Sequence, residues 1–151
     1  MTSEFKPAEE ARRLLQTIGK ASLATLHPKS CRPYSSLVLI CPDDAGHPVM
    51  MLSDLADHVK NIAADGAASL MLDGTDGESL AGPRVSVEGE IAKITDKDEI
   101  TSLKAGFVAR HPEAQIYADF TDFNLYRMTV SRLHLIAGFG RIHWLDADEV
   151  L

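Results

Sequence analysis

The sequence predicts an α+β protein built on an antiparallel barrel, and three observations carry that prediction. Short apolar runs alternate with turn-rich segments along most of the chain, the periodicity switches between two and 3.6, and most connections are short enough for hairpins. Six or seven short strands joined in this way build an antiparallel sheet, whereas strands separated by long helices build a parallel one. With 151 residues, 45% of them hydrophobic, the chain has the length of one domain, residues 1–151, and a core large enough to fold without disulfides or a structural metal.

The elements follow in order. Ala11, Leu14, Leu15 and Ile18 recur at i, i+3, i+4 and i+7 behind Pro7 and ahead of Gly19, which describes an amphipathic first helix. Ala21 to Leu26, Ser35 to Cys41 and Val49 to Leu52 form a meander, divided by His27-Pro28-Lys29-Ser30 and Pro42-Asp43-Asp44-Ala45-Gly46. Val59, Ile62 and Ala63 then share a helical face that Asp65-Gly66 closes. Strand character returns at Ala67 to Leu72, followed by an acidic, glycine-rich loop from Asp73 to Gly82. Val85, Val87 and Ile91 alternate with polar residues, the pattern of a strand with one face buried.

Thr95 and Asp98 frame a capping box before a third helix carrying Ile100, Leu103, Phe107 and Val108, which ends before His111-Pro112. A short helical turn is expected at Glu113 to Ala118. Tyr126, Met128 and Val130 have one parity and Leu133 and Leu135 the other, so a bulge is expected near Ser131-Arg132. A last strand runs from Gly138 to Leu145, entered through two glycines.

Composition removes several classes of function. Fifteen Lys and Arg against 22 Asp and Glu give a formal charge of −7, the wrong sign for tracking a nucleic-acid backbone. Cys31 and Cys41 form no CxxC pair, so no metal site is expected and the two read as reduced thiols in the cytoplasm. The apolar runs fall far short of the roughly 18 residues of a membrane span. The start Met1-Thr2-Ser3-Glu4-Phe5 has neither a basic segment nor an apolar signal core. GxSxG, HExxH, GxGxxG and P-loop patterns are all missing, which removes the familiar hydrolase and nucleotide cradles.

Chemistry concentrates where a strand gives way to a helix, at Ser53-Asp54-Leu55-Ala56-Asp57-His58-Val59-Lys60-Asn61-Ile62. With Asp57 as N-cap, His58, Val59 and Lys60 occupy a first turn whose N–H groups lack intrahelical partners. Cationic side chains there oppose the helix dipole, and a bound phosphate would resolve the conflict. An ordinary solvated helix start is the alternative, and the spacing alone leaves both open. Ser36 reads equally as a small core residue or a site residue, and Arg141 and His143 share a strand face turned either to solvent or to a cleft.

Five segments in order extend the reading: Arg32-Pro33-Tyr34-Ser35-Ser36-Leu37-Val38, Ser53 to Ile62, Ala81-Gly82-Pro83-Arg84, His111-Pro112-Glu113-Ala114, and Gly138-Phe139-Gly140-Arg141-Ile142-His143-Trp144-Leu145. Together they resemble the pyridoxamine 5′-phosphate oxidase-related FMN-binding split barrels, in particular the haem-utilisation, HugZ-like branch, over Ala8 to Leu145. The resemblance implies a six-stranded antiparallel split barrel, a homodimer, and FMN held at the subunit interface. It assigns the phosphate to His58 and Asn61, with Lys60 between them and Ser53 ahead of the helix, and it puts Ser36 on the wall beside the flavin ring. His58 departs from the lysine of the oxidases and carries less charge.

The function that follows is an FMN-dependent oxidoreductase acting on a small-molecule substrate, in which the flavin carries the redox chemistry. The alternative is a haem-binding or haem-degrading protein. Relatives of that kind usually add a C-terminal histidine for the iron, and this sequence ends at Leu151, so the haem reading falls to His143 with Arg141 paired to a propionate. A cofactor-free dimeric binding module is the third possibility. The homodimer is expected on a second ground, since the runs Leu37 to Cys41 and Val49 to Leu52 need covering on both faces.

Overall fold

The first helix, α1 (Pro7–Thr17), buries Ala11, Leu14 and Leu15, the face its spacing predicts. The computed structural model describes residues 4–151; Met1, Thr2 and Ser3, part of the N-terminal segment read above, lie outside the described residues. After α1 come β1 (Lys20–Leu26), β2 (Pro33–Leu39), the two-residue β3 (Cys41–Pro42) and β4 (Pro48–Ser53). A helix, α2 (Asp57–Ala64), leads into β5 (Ala67–Asp73) and β6 (Arg84–Lys93). Then follow α3 (Lys97–Arg110), a 3₁₀ segment at Pro112–Ile116, the long strand β7 (Phe123–Ile136), β8 (Ile142–Asp146) and a final turn of helix, α4 (Ala147–Val150).

Every strand pairing is antiparallel, and the order across the sheet is β2-β1-β5-β6-β7-β4-β3, with β8 also on β7. At 14 residues β7 is long enough to serve two partners on one edge: Phe123–Arg127 pair with β4 and Arg132–Ile136 with β8, while β6 runs along the other edge. The curled sheet encloses Leu23, Met50, Leu70, Leu72, Val85, Val87, Met128, Leu133 and Leu135, all at the heart of one apolar cluster. No hydrogen-bonded ladder joins β2 to β4, so the barrel stays split along that line.

The predicted bulge is present. Glu88 pairs with Arg132 and Gly89 with Val130, which leaves Ser131 as the extra residue. Glycine is required opposite it, because a Cβ at position 89 would lie 2.2 Å from the Thr129 carbonyl oxygen.

Other expectations need correction. Strands among the described residues number eight, because the predicted run Ser35 to Cys41 changes partner at Ile40, β2 pairing with β1 and β3 with β4. The cap of α3 is Asp96, whose carboxylate accepts from the Glu99 N–H, and not a Thr95–Asp98 box. The last strand starts at Ile142, since Gly138 and Gly140 take positive φ (124° and 75°) in the preceding turn. The argument that Val49 to Leu52 needs a second subunit also fails. Val49 and Met51 pack in a second cluster with Phe107, Ala114, Ala118 and Leu125, so α3 and the 3₁₀ segment of the same chain cover that face.

Candidate ligand site at the split

Helix α2 crosses the gap that the sheet leaves open. It enters from β4, and its residues reach β1 and β2 on the far side: His58 Nδ1 lies 3.0 Å from Ser36 Oγ, and the Asn61 amide donates to Thr25 Oγ1 at 3.0 Å. Val59 and Ile62 bury beneath it in the barrel core. Amphipathic spacing thus seats the helix, and two polar side chains fasten it to β1 and β2. Asn61 is 4% exposed, so its bond to Thr25, itself 2% exposed, satisfies a buried pair.

The start of α2 differs from the sequence expectation. Ala56 occupies the N-cap position, contributes no side-chain bond, and Asp57 is the first helical residue. The N–H groups of Val59 and Lys60 both turn to the Ala56 carbonyl, while those of Asp57 and His58 find no partner among the described residues. What holds the entering turn is a network behind it. Ser53 Oγ donates to Asp122 Oδ2 at 2.7 Å and accepts from the Leu55 N–H, and the Asp54 N–H donates to the Asp122 carbonyl at 2.6 Å. The Asp54 carboxylate accepts from Tyr126 Oη at 2.8 Å, Asn124 Nδ2 at 2.7 Å and Lys93 Nζ at 3.4 Å. Burial alone would raise the Asp54 carboxyl, but those three hydrogen bonds and the Lys93 charge outweigh it and hold the group below the usual carboxylate range. Burial, with Asp54 adding to it, drives the Tyr126 phenol the other way, well above its ordinary value.

Between β2 and β4 lies a groove of about 290 Å³, which is the split itself. Leu37, Val38 and Leu39 form one wall, Met51, Leu52 and Ser53 the other, and Ala56, His58, Tyr117 and Phe123 close its ends. Tyr117 and Phe123 lie with ring centroids 4.6 Å apart. His58 is half-buried at this groove, and the desolvation lowers its imidazole pKa below the ordinary value against the opposing charge of Asp57. The ring is therefore neutral at pH 7. Its Ser36 contact allows two arrangements, the hydroxyl donating to Nδ1 or Nδ1–H donating to the hydroxyl, and the second leaves a lone pair free on Nε2.

Of the residues assigned from the sequence, Ser36, Ser53, His58 and Asn61 gather around α2, and Lys60 stands exposed on the same helix without an ion pair among the described residues. Arg141 and His143 lie elsewhere. Arg141 sits over the Phe5 ring at 4.4 Å, and the His143 ring is 6.0 Å from it. The register puts His143 level with Leu135, Val85, Leu72 and so Ala21, at the start of β1, four residues or about 13 Å of strand from Thr25 where Asn61 attaches. A single chain does not bring the two groups together. The sequence missed Asp54, Asn124, Tyr126, Asp122, Tyr117 and Phe123. Only the i, i+2 placing of Asn124 and Tyr126 on one strand face gave a signal, and their partner lies 70 or more positions away.

A curled antiparallel sheet, split along one line and strapped by a helix across that line, defines a split β-barrel of the α+β class. A family model described as "CREG, beta-barrel" matches residues 3–151, and the chain belongs to that family. The HugZ-like resemblance read from the sequence holds. The chain is 28% identical over 137 residues to the chloroplastic non-canonical heme oxygenase HOZ of Arabidopsis thaliana, an alignment covering 90% of this chain and 42% of that protein. Among solved structures it is similar to a heme binding protein from Mycobacterium smegmatis, with TM-score 0.87 and 28% identity over 99% of this chain and 61% of the other. It also resembles the Agrobacterium tumefaciens protein Atu2129, of unknown function, with TM-score 0.82 and 31% identity over 90% of this chain and 58% of that one. The chain spans less than two thirds of the length of each of these three. No helix among the described residues is long and apolar enough to cross a membrane.

Proposed function

We propose that this chain binds haem in the split between β2 and β4, with His58 facing the iron. The observation that carries the reading is His58 itself: a half-buried imidazole kept neutral by desolvation, tied at Nδ1 to Ser36, on an otherwise apolar groove with two aromatic rings. A neutral imidazole with one ring nitrogen hydrogen-bonded and the other free is the form that ligates iron, and the arrangement in which Nδ1–H donates to Ser36 leaves the Nε2 lone pair for it. The same neutrality weakens His58 as a phosphate cation. Two further residues assigned to the FMN phosphate are engaged inside the chain, Asn61 by Thr25 and Ser53 by Asp122. The haem named for the Arabidopsis and mycobacterial relatives supports this choice of ligand.

Haem supplies the iron chemistry when bound; the chain's share is to hold and orient the ring and to exclude water with Leu37, Val38, Tyr117 and Phe123. The unpartnered Asp57 and His58 N–H groups offer donors to a propionate. Those same two amides, with Lys60 nearby, favour the second reading, an FMN-dependent oxidoreductase whose small-molecule substrate enters the groove.

A groove of about 290 Å³ is at the small end of ligand sites, which run from roughly 300 Å³ upward, so one copy covers only part of either cofactor. A homodimer completes the cover. Its surface is the outer face of the sheet, where Leu37, Met71 and Trp144, at 65%, 40% and 53% exposure, share one cross-strand row with Ser22, Ser86 and His134. Cys31 and Cys41 are both free thiols, in keeping with a reducing cytoplasm.

The test is an absorbance spectrum of the purified protein, followed by separate titrations of the apoprotein with haemin and FMN in wild type and His58→Ala. A Soret band, and haemin affinity reduced about tenfold or more in His58→Ala, are the expected results. Flavin bands with FMN affinity that depends on Lys60, and no haemin binding, would overturn the haem reading in favour of the second.

A further inference from the structure

Helix α2 is fastened on both sides of the split by different means. On the β1 and β2 side the links are His58 to Ser36 and Asn61 to Thr25. On the β4, β6 and β7 side the helix itself has no capping side chain, and among the described residues the strong polar anchor besides Ser53–Asp122 is Asp54, whose carboxylate gathers Tyr126 and Asn124 from β7 and Lys93 from β6. Three residues separate Asp54 from His58. The turn between them therefore transmits the position of β7 to the ring that faces the groove.

We infer that Asp54 is a positioning residue: clamped by Tyr126 and Asn124, it fixes where α2 begins, and with it the width of the split and the placing of the His58 ring against Ser36. Three donors converging on one carboxylate make a costly arrangement for a surface turn, since Tyr126 is a 5% exposed side chain whose hydroxyl must find a partner when buried. A turn that needed only to reverse the chain is already closed by the Ala56 N–H to Ser53 carbonyl bond of 3.1 Å. What Asp54 adds is attachment to the opposite half of the barrel. Charge-assisted bonds of this kind are the stronger class, so the anchor resists displacement better than the neutral Ser36–His58 contact at the other end.

This inference rests on the haem reading for one of its assays and stands apart from it for the other. The variants are Asp54→Ala, Asp54→Asn and Tyr126→Phe, each compared with wild type by haemin titration, by urea unfolding, and by hydrogen exchange of the Val59 and Lys60 amides in the apoprotein. For Asp54→Ala the expectation is faster exchange at those amides at a urea midpoint still well inside the folded range, with haemin affinity lowered about tenfold. Asp54→Asn, which keeps the shape but loses the charge, and Tyr126→Phe, which removes one donor, should fall between. A urea midpoint that drops while α2 exchange and haemin affinity per folded molecule stay at wild-type values overturns the inference and leaves Asp54 a stabilising residue only. Failure of wild type to bind haemin overturns the haem reading instead, and the exchange data then decide the role of Asp54 alone.

Discussion

Replacing Ser36 with alanine tests the contact on which the proposed site turns. Ser36 Oγ lies 3.0 Å from His58 Nδ1, and the two residues belong to elements with no backbone hydrogen bonds between them, the edge strand β2 and helix α2. A neutral, half-buried hydrogen bond of this kind contributes about 0.5–1.5 kcal/mol to stability, so urea unfolding of Ser36→Ala should show a loss within that range. The ligand effect should be larger in proportion. Hydrogen-bond partners of metal-ligating histidines are typically worth 10- to 100-fold in affinity, and Ser36→Ala should weaken haemin binding about tenfold by releasing the ring orientation. A double-mutant cycle with His58→Ala separates this from a general loosening of β2. Contact predicts a coupling energy of about 1 kcal/mol in stability, and nearly all the Ser36→Ala effect on haemin should vanish in the His58→Ala background. Strict additivity in both measurements, or haemin affinity unchanged within about twofold in Ser36→Ala, would refute the reasoning.

Further expectations concern the frame around the site. Gly89→Ala should cost roughly 1–3 kcal/mol of stability or more, read as a lower urea midpoint, because its Cβ would sit 2.2 Å from backbone at Thr129, which cannot yield as a flexible side chain can. Asn61→Ala should cost about 1–3 kcal/mol by stranding the buried Thr25 hydroxyl, a loss that Thr25→Val in the same chain should partly restore. Acid should weaken the fold in two windows. The lowered pKa of His58 means that the native state binds fewer protons than the unfolded chain, so stability is full above about pH 6.5 and falls until the folded pKa is passed. Asp54 and Asp73, also lowered, add a second loss that begins below about pH 3.9; urea midpoints across pH should show the upper window disappear in His58→Gln and the lower one shrink in Asp54→Asn. Sedimentation at micromolar concentration should show a dimer, and Trp144→Glu, on the exposed outer row, should shift it toward monomer without unfolding it.

Much of the fold was legible because it depends on local patterns. The i, i+3, i+4 spacing of Ala11, Leu14 and Leu15 matched the buried face of α1, and the parity slip between Val130 and Leu133 announced the bulge that Ser131 makes. Where the reading failed, a neighbour distant in sequence decided the outcome. Nothing near Val49 and Met51 says that Phe107 and Ala118 will lie over them, so an apolar strand read as an interface turned out to be covered from within. Ile40 looks like one more residue of a continuous strand until the pairing shows that the chain leaves β1 there and joins β4 from Cys41. Asp57 and Ala56 exchanged places at the cap because the entering turn is fixed by Asp122 and Asp54, leaving no need for a side-chain cap.

The candidate site was half legible for the same reason. A run such as Ser53 to Asn61 shows that polar groups cluster where a helix begins, but side chains that could touch a ligand and side chains that hold the helix in place are the same residue types. Asn61 and Ser53 were read as ligand contacts, and the fold engages both as fasteners, one to β1 and one to the turn ahead of β7. That leaves His58, the residue whose departure from lysine counted against it as a phosphate ligand, in the one position where loss of charge is an advantage. An imidazole at the mouth of an apolar split, neutral because it is half-buried, is poorly suited to a dianion and well suited to iron. The histidine that weakens the flavin reading of this sequence is therefore the feature that strengthens the haem reading of the structure.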